Sequence, residues 1–192
     1  MDYQILKNHP LAPYTTLKIG GAADTFIEAT SSNQLVSILN SVYQTPAQFD
    51  IQSSEDLISE GSAKQSEVRL WRKHRKKSLT NQITILGNGS NILISDTGIR
   101  GLVIRYSNPL QSIIKQTIND GLVGLENFAY IPASLGGAIV SNIHGADKTN
   151  FNQYLDTITV FDLSTSTTTT LQAADLKWGY DYYPGGYIYC KL

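Results

Sequence analysis

ITILGNGSNILISDTGIRGLVIRY, residues 83–106, is the stretch whose order of apolar and glycine-rich pieces decides the fold class. ITIL reads as an apolar strand, Gly87-Asn88-Gly89-Ser90-Asn91 as a tight loop, NILIS as a second apolar strand and GLVIRY as a further one. Glycines in such a loop allow positive φ and let backbone N–H groups converge without Cβ obstruction, which makes a concave nest for phosphate. Ser90 and Asn91 add short side-chain donors. G-x-G loops also close ordinary hairpins, so the loop alone leaves both readings open. No Gly-Lys-Ser/Thr follows, so it is not a Walker loop, and a strand rather than a helix comes next, which disfavours a Rossmann fold.

Upstream, TFIEA alternates like a strand. SSNQLVSILNSVY then offers a serine cap followed by Leu35, Ile38, Leu39 and Val42 at helical spacing. Strand then helix is the opening half of an α/β unit. Downstream, LQSIIKQTINDG carries a helical pattern at Leu110, Ile113, Ile114 and Ile118, with Gly121 as its stop. YLDTITVFDL and TTTTLQAADLK suggest a hairpin, and the tail WGYDYYPGGYIYCKL is aromatic and turn-rich.

A second small-residue stretch runs Gly124-Leu125-Glu126-Asn127, then Ile131-Pro132-Ala133-Ser134-Leu135-Gly136-Gly137-Ala138. Small residues after a rigid proline permit close backbone approach to a planar or anionic ligand, and equally permit tight helix packing. Two such loops could clasp a diphosphate from both sides.

Composition narrows the classes. The 192 residues are 41% hydrophobic and 16% charged, with formal net charge -1, which suits a folded chain without the basic excess of a dedicated nucleic-acid binder. Cys190 stands alone, so neither an internal disulfide nor a cysteine-rich metal site is available, and the three histidines show no ligand spacing. The start has no signal-peptide pattern and no apolar run approaches a membrane span, so a cytoplasmic address without membrane contact is expected. Residues of about 44–82 read as an insertion, polar at first and then basic in RLWRKHRKKS. Six cations and His74 there could release counterions from a nucleic acid, or simply form a solvated face; Trp71 alone is little aromatic interleaving.

Taken together the segments resemble the UDP-N-acetylenolpyruvoylglucosamine reductases, the MurB family. LAPYTTLKIGGAADTFIEATSSNQL is similar to that family's amino-terminal segment, ILGNGSNILISDTGIRGLVIR to its first flavin loop, and GLENFAYIPASLGGAIVSNIHGA to its second. LKWGYDYY resembles its Phe-Gly-Tyr-Arg region, and the matches stand in family order. The resemblance implies an α+β, two-subdomain FAD-binding fold of the vanillyl-alcohol oxidase (PCMH-type) group, with subdomains over 1–106 and 107–192. It implies FAD held by Gly87, Asn88, Gly89, Ser90 and Asn91 and by Ile131, Pro132, Ala133, Ser134, Gly136, Gly137 and Asn142. It also implies NADPH as reductant, a UDP-sugar enolpyruvate as substrate, and a place in peptidoglycan precursor synthesis, hence in cell wall biogenesis, cell shape and division.

Departures from the pattern concern catalysis. An enol ether accepts hydride only when its carboxylate is polarised by a cation. Asp181 stands after Tyr180 where the family carries an arginine, and an anion there repels the substrate carboxylate. The family's third, substrate-binding domain, with its serine proton donor, is expected to be absent after Leu192, and strands are missing between Arg105 and Leu110. Tyr180 is the remaining catalytic candidate, and His144 a candidate flavin contact. The expected function is an FAD-binding oxidoreductase of this type, incomplete; the alternative is a non-catalytic flavin- or nucleotide-binding module. Oligomeric state has no sequence signal.

Overall fold

The computed structural model describes residues 3–44, 83–179 and 187–191. Two sheets organise it. The first is four-stranded, in the order β1 (Leu6–Pro10), β2 (Ala22–Ala29), β4 (Ile99–Tyr106), β3 (Ile83–Leu86), with β1 antiparallel to β2 and the other pairs parallel. The second is antiparallel, in the order β6 (Thr167–Gln172), β5 (Thr157–Asp162), β7 (Tyr187–Lys191).

Parallel strands bury both faces, and β2 shows it: Phe26 and Ile27 are both sealed from solvent although they point to opposite sides. Ile27, Leu102 and Ile104 meet helix α1 (Ser32–Gln44), whereas Phe26, Val103 and Leu86 meet Leu11 and Ile94 on the other face. Ser31 caps α1 by accepting the Gln34 N–H at 3.1 Å, and Leu35, Ile38, Leu39 and Val42 are fully buried. The same core takes in Phe161 and Ile188 from the second sheet, so α1 lies between the two sheets.

The pairing corrects one expectation. NILIS is not a strand: β3 and β4 are parallel, so the chain must cross over between them, and residues 87–98 form that crossover without regular structure. Ile94 turns into the core while Leu93 stays 69% exposed. Where β4 meets β2 the register slips between Ala23 and Thr25; Gly101, at φ +88°, takes up the extra residue and donates its N–H to Asp24.

Helix α2 (Leu110–Asn119) buries Leu110 and Ile114. Its stop is a Schellman motif: Gly121, at φ +74°, donates to Ile118 O, and Leu122 donates to Thr117 O. The second small-residue stretch contains a short helix, α3 (Leu135–Ser141), that the sequence pattern did not announce. Ser134 caps it, and Leu135, Ala138 and Ile139 are buried against β5 residues Ile158 and Val160. The expected hairpin is β5–β6, closed by a turn in which Asp162 accepts the Ser164 N–H and hydroxyl. The basic insertion, apart from Gln44, lies outside the described residues.

Candidate functional site

The glycine loop leaves the C-terminal end of β3, the end of the parallel strands from which α1's own strand β2 also exits. It is packed rather than open. A Cβ on Gly87 would lie 2.2 Å from Ser134 Oγ, and one on Gly89 would lie 2.0 Å from the Tyr14 carbonyl oxygen. Gly89 is at φ +66°, and its own carbonyl accepts the Thr16 N–H at 3.0 Å. The glycines are therefore required first by the protein's own close packing, and only through it by any ligand. Asn88 ties the loop in two directions: its Oδ1 accepts the Ser107 hydroxyl, and its Nδ2 reaches Pro132 O at 3.5 Å. The two small-residue loops thus meet directly.

This packing leaves donors over. Among the described residues no protein acceptor takes the N–H groups of Asn88, Gly89, Ser90 or Asn91. Ser90 and Asn91 are exposed. Four successive unengaged N–H groups beside a positive-φ glycine are donors of the kind an anion-binding loop uses. The second loop contributes fewer. Ile131 donates to Phe128 O, Ala133 to Ile131 O, and Gly137 to Ser134 Oγ; Pro132 has no N–H. That leaves Ser134 and Gly136, at the cap and first turn of α3, where N–H groups have no intrahelical acceptor. The expected set of donors is narrower on this side than the sequence suggested.

Asn142 is buried and left-handed at the end of α3, and its Oδ1 accepts the Asn152 N–H at 3.0 Å. His144 is exposed, with Nδ1 2.9 Å from Asn150 Oδ1. Glu126 accepts the Gly124 N–H within its own turn. Asp147 accepts from Asn127, and the Thr149 hydroxyl and N–H hold its carboxyl below the ordinary range. Tyr180 and Asp181 lie outside the described residues.

The residues that sequence reading missed come from elsewhere in the chain. Tyr14, stacked on Phe26 with ring centroids 4.9 Å apart, walls the glycine loop through its backbone. Arg105, opposite Leu86 in the sheet, lies 5.1 Å from the Tyr14 ring centroid and pairs with Glu28. Nothing in local pattern marks these, because only strand pairing brings them to Gly87. Two shallow depressions along α2, of about 180 and 340 Å³, include no residue of 87–91 or 131–137. Among the described residues there is no cluster of three metal-ligating side chains, and no helix is long and apolar enough to cross a membrane.

A glycine loop at the end of parallel strands, facing a small-residue helix start packed on a second, antiparallel sheet, defines the class: an α+β fold of the MurB-like type. A crystal structure of UDP-N-acetylenolpyruvylglucosamine reductase from Thermus caldophilus shares this fold with a TM-score of 0.63 over 98% of this chain and 60% of its own, at 23% identity. Among curated proteins, the UDP-N-acetylenolpyruvoylglucosamine reductase of Synechococcus sp. (strain RCC307) is 30% identical over 198 residues, 93% of this chain and 53% of its own. That of Bacillus pumilus (strain SAFR-032) is 31% identical over 167 residues, 75% and 43%. No family profile matches. The chain is a relative of the UDP-N-acetylenolpyruvoylglucosamine reductases and spans about half the length of the curated relatives it matches.

Proposed function

We propose that this chain binds FAD as the flavin-carrying part of an NADPH-dependent oxidoreductase of the UDP-N-acetylenolpyruvoylglucosamine reductase type. The observation that carries the reading is the run of unengaged N–H groups at Asn88, Gly89, Ser90 and Asn91, in a loop whose Gly87 packs against Ser134. A diphosphate fits that donor set because it needs several converging hydrogen bonds and no metal. Ser134 and Gly136 would supply the second bank of donors, with Asn142 fixing the end of the helix that presents them. Bound flavin supplies hydride transfer, and the protein's part is to hold and orient it.

On this reading the subdomains divide near Tyr106, the substrate is a UDP-sugar enolpyruvate, and the work is cytoplasmic peptidoglycan precursor synthesis. Asp181 favours a second reading for catalysis, a flavin-binding module without turnover, because an anion in that place opposes the substrate carboxylate. The test common to both is the visible spectrum of the purified protein after incubation with FAD and gel filtration. A retained yellow chromophore with quenched flavin fluorescence is the expected result. Colourless protein would overturn both readings.

A further inference from the structure

We propose that Arg105 is the cation that offsets the diphosphate charge at the glycine loop, and that Glu28 sets how much of its field reaches the ligand. The inference rests on the FAD reading above. None of residues 87–91 or 131–137 is charged, so the loop's donors would meet two negative charges with dipoles alone. Among the described residues at the strand ends next to that loop, Arg105 is the cation. Its Cα pairs with that of Leu86, the residue before Gly87, at one inter-strand spacing of about 4.8 Å.

Its guanidinium lies on the sheet face that carries Tyr14, whose carbonyl abuts Gly89. One nitrogen, Nη1, pairs with Glu28, and Nε–H is buried without an acceptor. The group is 26% exposed against 46% for Glu28, so solvent screens the anion more than the cation. A partly buried charge about one Debye length or less from a dianion acts on it through space, with no direct contact required. Arg105 is thus a positioning and charge-balancing residue.

The competing role is purely structural: Arg105 could serve only to hold Tyr14 and Glu28 in place. The two roles predict opposite signs at Glu28. If charge matters, Arg105→Gln should raise the FAD dissociation constant about tenfold at low salt, and Glu28→Gln should lower it severalfold, by unmasking the cation. If only the ion pair matters, both should weaken binding.

The experiment is flavin-fluorescence titration of wild type, R105Q, R105K, E28Q and the double variant at low salt and at 1 M NaCl. Arg100→Gln is the control, since Arg100 pairs with Asp24 at the opposite end of β4. We expect R105K to stay within about threefold of wild type, R100Q to be unchanged, the double variant to return towards wild type, and all differences to shrink in high salt. Loss of affinity in E28Q, or an equal loss in R100Q, would overturn the proposal while wild type still binds. A wild type that binds no FAD would instead remove the reading on which it rests. Should R105Q fail to fold, E28Q carries the sign test alone.

Discussion

Gly87 sits so close to Ser134 that the hydroxyl occupies the space a β-carbon would need, 2.2 Å away. Strand β3 and helix α3 are locked at this point, and Ser134 also caps α3 through the Gly137 N–H at 3.2 Å. Gly87→Ala should therefore destabilise the fold by about 1–3 kcal/mol through overpacking. Ser134→Ala should cost about 1 kcal/mol through the lost cap. The double variant should cost less than the two singles added together, because removing the hydroxyl frees part of the space. Urea unfolding of all four proteins measures the coupling, and strict additivity would refute the contact.

Gly89 and Gly121 share a left-handed backbone but not an environment. A Cβ at Gly121 would meet nothing within 4 Å, whereas at Gly89 it would meet the Tyr14 carbonyl. Gly121→Ala should cost about 1–2 kcal/mol for the backbone conformation alone. Gly89→Ala should cost at least about 1 kcal/mol more. Equal melting temperatures for the two variants would contradict this difference.

Asp162 titrates below its ordinary value of 3.8 because the Ser164 hydroxyl and then the Ser164 N–H hydrogen-bond its charged form. A depressed carboxyl contributes stability that is complete above the ordinary value and is lost as pH falls through the folded one. Urea midpoints followed from about pH 5 to about pH 2 should fall less steeply for Asp162→Asn than for wild type. A steeper fall in the variant would reverse the assigned sign.

Deletion of residues 51–78 should leave flavin binding intact. The segment departs from the end of α1 and returns at the start of β3, whereas the glycine loop leaves the other end of that strand. Fluorescence titration with FAD decides it. Lost nucleic-acid affinity with flavin binding kept would assign the basic run a role of its own.

FAD-loaded protein should show no substrate-dependent NADPH oxidation with UDP-N-acetylglucosamine enolpyruvate. Losing one preorganised charge-stabilising donor costs about 3 kcal/mol, about a hundredfold in rate. On the resemblance of LKWGYDYY to the family's Phe-Gly-Tyr-Arg region, Asp181 would place the opposite charge there. Asp181→Arg should by itself fail to restore turnover if the groups that grip the UDP-sugar are not supplied. Wild-type turnover at an ordinary reductase rate would disprove the argument.

What the sequence made legible was local. Ser31 with Leu35, Ile38, Leu39 and Val42 foretold α1, and Gly121 foretold the end of α2, because caps and helical spacing act within a few residues. Ile92-Leu93-Ile94 looked like a strand since β-prone apolar runs do, yet pairing decides strands, and the partner position was taken by β2. LGGAIVS looked like loop because two glycines lower helix propensity; the Ser134 cap and the burial of Leu135, Ala138 and Ile139 override that. The meeting of Gly87 with Ser134 and of Gly89 with Tyr14 left no trace in spacing, since long-range topology alone creates it.

Leu39 and Val42 of α1 share one core with Phe161 and Ile188, so the two sheets are joined through that cluster although each also keeps a cluster of its own. Amides of α1 and of the residues in that shared cluster should exchange with solvent deuterium together. The close approach of Gly87 to Ser134 is likewise made before any ligand arrives, so little ordering entropy is left there for binding to overcome.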